Sequence, residues 1–201
     1  MIKNAKKGRP IDTTKSDQIL DAAAMLFMQK GFHATSMDDI ARAASMSKLT
    51  LYRRFEDKNA LFVAVMERKC HQHIPDSIFD IFDTAPLDQA LEIVGYGFFS
   101  LLLSEDAIAM HRMMANEAMH NPQLTQLFYD TGPKRVKALL LDKMMDLNIP
   151  DPTWARDVFL SLFTGSDLFL RTLMNIAPAP TDADIRAHVI KVRDFFMQGM
   201  M

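Results

Sequence analysis

Apolar side chains return every three or four positions along most of the chain, as in Ile19, Ala23, Leu26 and Phe27 or in Ala155, Val158, Phe159, Leu162, Phe169 and Leu173. That spacing lines one face of an α-helix, and no stretch sustains the period-two alternation of a half-buried strand. The nine prolines, at positions 10, 75, 86, 122, 133, 150, 152, 178 and 180, punctuate the pattern, because proline fits the first turn of a helix and rarely its interior. The resulting map is all-α, with about nine helices near 14–30, 37–44, 48–55, 58–74, 87–103, 105–119, 122–148 with a break at Gly132-Pro133, 152–174 and 182–198. Thr14 with Asp17, Ser36 with Asp39 and Thr181 with Asp184 have the hydroxyl-to-carboxylate spacing of a helix start, and Gly31 stands where the first helix should stop. The segment from Ile74 to Pro86 is assigned no element.

With 201 residues, 49% hydrophobic and 24% charged, the chain can bury a core without covalent help. A single cysteine excludes an intramolecular disulfide framework, and the basic start lacks the apolar segment of a signal peptide. No run approaches the roughly 18 apolar residues of a membrane helix. A protein of the reduced cytoplasm, away from membranes, is therefore expected. The net charge of −2 conceals an asymmetry: residues 1–58 hold 11 Lys and Arg against 7 Asp and Glu, and the remainder 12 against 18. A positive N-terminal part facing a polyanion accounts for the split, and so does chance.

Met37 to Phe55 reads as two short helices around a three-residue turn. Small residues at 41 and 44 let the helices cross closely, while Ile40, Leu51 and Phe55 fill the angle between them. A helix-turn-helix of this kind presents the N-terminal end of its second helix to a DNA major groove, or serves only as a structural corner.

From Ile19 to Phe62 the chain carries I-L-D-A-A-A-M-L-F, then G-F-H-A-T-S-M-D-D-I-A, then S-K-L-T-L-Y-R-R-F-E-D-K-N-A-L-F. In order and without gaps, this closely resembles the N-terminal domain of the TetR (tetracycline-repressor-like) family of transcriptional regulators. Met110-His111-Arg112, Asn121-Pro122-Gln123-Leu124, Phe128-Tyr129-Asp130-Thr131-Gly132-Pro133 and Asp151-Pro152 are similar to the C-terminal domain of an AefR-like subset. The resemblance implies a three-helix DNA-binding domain over 1–57 with a basic N-terminal arm, then a helical ligand-binding and dimerisation domain over 58–201. It also implies that Tyr52, Arg54 and Lys58 grip the DNA backbone. Thr35 and Ser36 offer hydroxyls and a helix start to phosphates, with capping as the alternative role of Ser36. Met46, Ser47, Lys48, Leu49 and Thr50 are placed to meet base edges, with Lys48 the reader of guanine. Lys6, Lys7 and Arg9 of the arm either reach a minor groove or remain a solvated tail. Two departures stand out. Ser45 occupies a turn position where the family has glycine, at a cost of roughly 1 kcal/mol in a left-handed conformation. Leu49 replaces a small residue, either to meet a thymine methyl or to pack inward.

Beyond Lys58 lie 11 of the 16 methionines and 11 of the 14 phenylalanines, residues that build adaptable binding surfaces as well as ordinary core. An effector lining is expected from Leu102, Met110, Met113, Met114, Phe128 and Phe163, with Glu117 or Arg171 as the polar anchor. For those two charged residues, a buried ion pair or a surface position is the alternative. A dimer interface is expected from Ser161 and Gly165, four apart on one helix, with the stripe Ile185, Val189, Val192 and Phe196 on the last. Packing of the same helices within one chain is the alternative. Glu117-Ala118-Met119-His120 has the spacing of helical di-iron sites but no second copy, and His71 and His73 diverge on a helix.

The expectation is a homodimeric, non-enzymatic repressor without metal or cofactor. A small lipophilic effector releases it from a pseudo-palindromic operator in double-stranded DNA. The rivals are a DNA-binding regulator whose partner is another protein, and an α-helical metal-dependent enzyme.

Overall fold

A computed structural model describes residues 13–199, so the arm residues Lys6, Lys7 and Arg9 lie outside the described part. The described residues form α-helices α1 (Thr13–Lys30), α2 (Met37–Ala43), α3 (Lys48–Tyr52), α4 (Lys58–His73), α5 (Leu87–Leu103), α6 (Glu105–Glu117), α7 (Pro122–Thr131), α8 (Pro133–Asp146), α9 (Pro152–Thr164), α10 (Asp167–Leu173) and α11 (Asp182–Gly199). A 3-10 segment, Asp76–Asp83, joins α4 to α5. No strand occurs among the described residues, and no single helix among them is long and apolar enough to cross a membrane.

The chain divides into two compact units, with the division inside α4 between Val65 and Met66. Burial explains why it falls beyond Lys58. Leu61, Phe62 and Val65 on the first half of α4 are buried, and the Phe62 ring meets Phe27 of α1 and Phe32 at centroid distances of 5.9 and 5.6 Å. The stripe Ile19, Ala23, Leu26 and Phe27 buries α1 in the same core. Gly31 ends α1 with φ +82°, a left-handed conformation that only glycine adopts without steric cost. Ser36 and Asp39 then start α2 by reciprocal bonding. Asp39 N–H donates to Ser36 Oγ (3.1 Å), and Ser36 N–H and O–H donate to Asp39 Oδ2. Those bonds hold the Asp39 carboxyl below the ordinary carboxylate range. Thr181 and Asp184 do the same for α11, whereas Thr14 already lies within α1 and is not its cap.

In the second unit α5 packs most extensively on α11. Gly95 permits that approach, because a Cβ there would stand 3.0 Å from Phe163 Cζ and 3.4 Å from Val189 Cγ1. Leu91, Phe99, Phe159 and Phe163 are fully buried around it.

Two elements depart from the periodicity map. The predicted helix 152–174 is two helices. Gly165 ends α9, and Ser166 starts α10 by accepting the Phe169 N–H at 3.2 Å. The unassigned stretch is a 3-10 segment whose three-residue period puts Phe79 and Phe82 on one buried face. Its two ends are tied to α8, by Asp76 to Arg135 and by Asp83 to Lys143.

Candidate nucleic-acid interface and effector region

The turn between α2 and α3 is built on its backbone. Ser45 has φ +54°, its N–H donates to Arg42 O (3.1 Å), and the Met46 N–H donates to Ala41 O (2.8 Å). These two bonds close α2 in a Schellman motif, so Ser45 does take the left-handed place expected of glycine. Ala41 and Ala44 are buried at the crossing, and Leu51 anchors α3 beneath it at 0% exposure.

What α3 turns outward is the candidate reading surface. Ser47 and Lys48 are exposed, Leu49 is 61% exposed, Tyr52 is 51% exposed, and Met46 and Thr50 are half-buried. Leu49 therefore does not pack inward. Ser47 caps α3 by accepting the Thr50 N–H, and its hydroxyl pairs with that of Thr50 at 2.8 Å. Lys48 Nζ donates to Asp38 Oδ2 on α2 at 2.5 Å.

The residues expected to grip phosphates are gathered, but several are already engaged. Thr35, Ser36, Tyr52 and Lys58 line one hollow of about 410 Å³ with His33, Met37 and Asp38. Thr35 is 1% exposed and gives its hydroxyl proton to Leu26 O or Gly31 O, so the reading of Thr35 as a phosphate ligand is corrected: it ties the end of α1 to the next loop. Lys58 Nζ donates to Phe32 O (2.6 Å) and Thr35 O (2.8 Å) and stands 4.3 Å from the Phe32 ring centroid, which makes it a clamp on the same loop. Arg54 Nη1 donates to Ser16 Oγ of α1 at 2.8 Å. Ser36 and Tyr52 remain at the surface.

The expected effector residues fall in two groups. Leu102 and Phe163 belong to the main core, where Phe163 touches Phe98, Phe99, Phe159 and the ring of His188. Met110, Met114 and Glu117 are buried along α6, and Met113 and Phe128 are half-buried. Arg171 is corrected as an anchor: it is exposed and pairs with Asp167 one turn earlier on α10, because the break at Gly165 turns it to solvent.

Besides the buried Glu117, a second polar group sits among these apolar residues: His111, whose ring is held edge-on by Phe128 of α7 (5.5 Å) and Phe169 of α10 (5.7 Å). Burial lowers its pKa, which favours neutral imidazole. Its Nδ1 lies 2.7 Å from Ala107 O, a pure acceptor, so Nδ1 carries the proton and Nε2 is left as an acceptor. Beside it, Arg112 donates to Thr172 O (2.9 Å) and Leu173 O (2.8 Å), fastening α6 to the end of α10. In the sequence His111 stands out only by its place beside Met110, within the segment Met110-His111-Arg112 that is similar to the AefR-like domain.

A separate cleft of about 400 Å³ is lined by Glu67, Cys70, His71, Asp130, Thr131 and Arg135, where burial pushes the Cys70 thiol up. Among the described residues no three of His, Cys, Asp or Glu converge as a metal-binding group.

The dimer stripe is corrected most strongly. Val189, Val192 and Phe196 are 1%, 4% and 5% exposed within the single chain, and Ile185 packs against the same core. The face of α11 seated on α5 and α9 takes them inward. Away from that face, Ile190 and Phe195 are 39% and 62% exposed on opposite flanks of α11, about 140° apart around the helix, and Ser161 and Gly165 are exposed on α9 and at its end.

Residues 19–65 match the bacterial regulatory proteins of the tetR family, and residues 89–199 match the AefR-like transcriptional repressor C-terminal domain. The chain is 30% identical over 107 residues, 53% of its length, to the HTH-type transcriptional activator FasR of Mycolicibacterium smegmatis. It is 30% identical over 105 residues, 52% of its length, to the fatty acid metabolism regulator protein of Bacillus subtilis. These matches span about half of the curated relatives, 48% and 52% of their respective lengths. The solved structure of the flavonoid-responsive regulator FrrA superposes with a TM-score of 0.71 at 30% identity, covering 93% of this chain and 97% of that one.

Proposed function

Since the chain belongs to the TetR family of bacterial regulatory proteins, we propose that it is a ligand-responsive, DNA-binding transcriptional regulator of the cytoplasm, acting as a homodimeric repressor. The observation that carries DNA binding is the outward end of the helix-turn-helix. Ser47, Lys48, Leu49 and Tyr52 stand in solvent on a short helix whose opposite side is locked by buried Leu51. Lys48 suits the acceptors of guanine, Leu49 suits a thymine methyl, and Ser36 and Tyr52 suit phosphates. Two such helices in a dimer would meet successive major grooves about 34 Å apart, and their two-fold axis would match a pseudo-palindromic operator. Ser161 and Gly165 with Phe195 supply the dimer face in this reading.

The effector is a small lipophilic molecule received near Met110, Met113, Met114 and Phe128, and its polar group donates to Nε2 of His111. The flavonoid-responsive and fatty acid metabolism regulators among the relatives support that chemical class. By linkage, an effector that weakens operator binding tenfold is itself bound tenfold more weakly by the DNA complex, a coupling of about 1.4 kcal/mol.

Sequencing the DNA fragments retained by the purified protein tests the central claim. A shared palindromic sequence is expected, bound with a log-log salt slope of about −0.9 per phosphate contacted. Retention of no common sequence, with no salt-dependent binding, would refute it. Titrating lipophilic compounds with and without the recovered operator then separates an inducer from a bystander, which binds equally in both.

A further inference from the structure

The surface that this reading gives to DNA carries a carboxylate where a polyanion should be unwelcome. Asp38 lies in the first turn of α2, and its Oδ2 accepts from Lys48 Nζ, at the first position of α3, at 2.5 Å. The side chains are 46% and 66% exposed, and an exposed pair of this kind adds little to stability. Capping of α2 does not need Asp38, because Ser36 and Asp39 perform it and Asp39 also pairs with Arg42. The pair therefore acts on the charge of the reading surface itself.

We propose that Asp38 is a specificity-determining positioning residue, which withholds the Lys48 ammonium from sequence-independent contacts and presents it only to a fixed base acceptor. The proposal rests on the DNA-binding reading above. A lysine neutralised by a neighbouring carboxylate releases few counterions when it nears a phosphate, so it adds little to binding on random DNA. An ammonium has three donors, and Asp38 takes one. A guanine O6 or N7 at a set place in the groove can take another while the ion pair stays intact. A free lysine would roam to the nearest phosphate; a held one serves one position.

The test is a double-mutant cycle on the full chain: the parent, Asp38→Asn, Lys48→Ala and the double variant. Each is titrated with the retained operator and with a scrambled duplex of equal length between 50 and 200 mM salt. Asp38→Asn is expected to bind the scrambled duplex more tightly, with a gain that shrinks about threefold per recognition helix from the low-salt to the high-salt end, a salt slope steeper by about 0.9 per helix. The ratio of operator to scrambled affinity falls accordingly. In the Lys48→Ala background, Asp38→Asn should change neither quantity. An unchanged ratio and slope in Asp38→Asn, or the same gain when Lys48 is absent, overturns the inference, the second by reducing it to bulk charge. A parent that binds neither duplex overturns the DNA-binding reading itself.

Discussion

Lys58→Met keeps the length of the side chain and removes only its ammonium, so it separates a clamp from a phosphate ligand. In the structure Nζ serves Phe32 O at 2.6 Å and Thr35 O at 2.8 Å, and lies over the Phe32 ring at 4.3 Å. Hydrogen bonds from a charged donor contribute about 1.5 to 3 kcal/mol each, and the ring contact about 0.5 to 1 kcal/mol at a partly exposed site. Solvent at this half-buried position screens part of that sum, which leaves a loss of roughly 2 to 4 kcal/mol. The loss is local: both carbonyls lie between α1 and α2, in the loop that holds Phe32 against Phe27 and Phe62. Hydrogen exchange followed by mass spectrometry should show amides of residues 31–36 and 58–65 opening roughly 30- to 700-fold more readily, the factor that such an energy implies. The salt slope of DNA binding, measured where the variant remains folded, should stay at the parent value. A phosphate-gripping Lys58 predicts the reverse, with parent-like exchange and a slope shallower by about 0.9 per chain. That pair of results would refute the clamp.

Gly95→Val is expected to lower the stability of the second unit by about 1 to 3 kcal/mol in urea titration, because its Cβ meets the Phe163 ring tip at 3.0 Å with Phe159 and Val189 close behind; a parent-like midpoint would mean that the ring yields freely. Phe195→Glu, on the outer face of α11, should give a folded monomer by sedimentation, whereas Val189→Glu should unfold the second unit; a persistent Phe195→Glu dimer places the interface elsewhere. Burial lowers the pKa of His111 and His73 below the ordinary value of 6.5, so in acid the unfolded chain takes up protons that the folded chain refuses. Their contribution is complete above about pH 6.5 and lost as pH falls from there toward the folded values. The urea midpoint should therefore drop between pH 7.5 and 5.5, and His111→Gln should flatten the drop; an equal drop in both proteins contradicts the assignment.

Local signals carried most of the fold. The stripe of α1, the capping boxes at Ser36 and Thr181, and the stop at Gly31 depend on residues within a turn of one another, so spacing alone reveals them. Partners distant in sequence stayed hidden. Lys58 and Thr35 bond to backbone carbonyls, which leave no mark in the residue order. The stripe Val189, Val192 and Phe196 announced a buried face, but periodicity does not say whether the covering surface is α5 of the same chain or a second copy. His111 gains its setting from Phe128 and Phe169, on two other helices. Phe79 and Phe82 stand three residues apart, a spacing that α- and 3-10 helices share, so it does not by itself identify the segment.

The corner at Gly165 and Ser166 also sets where the chain tolerates a change of length. Phe163 and Phe169 both enter the main core although six positions separate them. On an unbroken helix six residues leave two side chains about 120° apart, so the corner removes a phase error. Neither helix depends on the other for its rotation. A residue inserted between 165 and 166 spares both buried faces, whereas one inserted after Phe159 swings Leu160 and Phe163 through about 100° and out of the core. Drift in chain length among descendants of this sequence should therefore gather at that corner, while the helices on either side keep their residue counts.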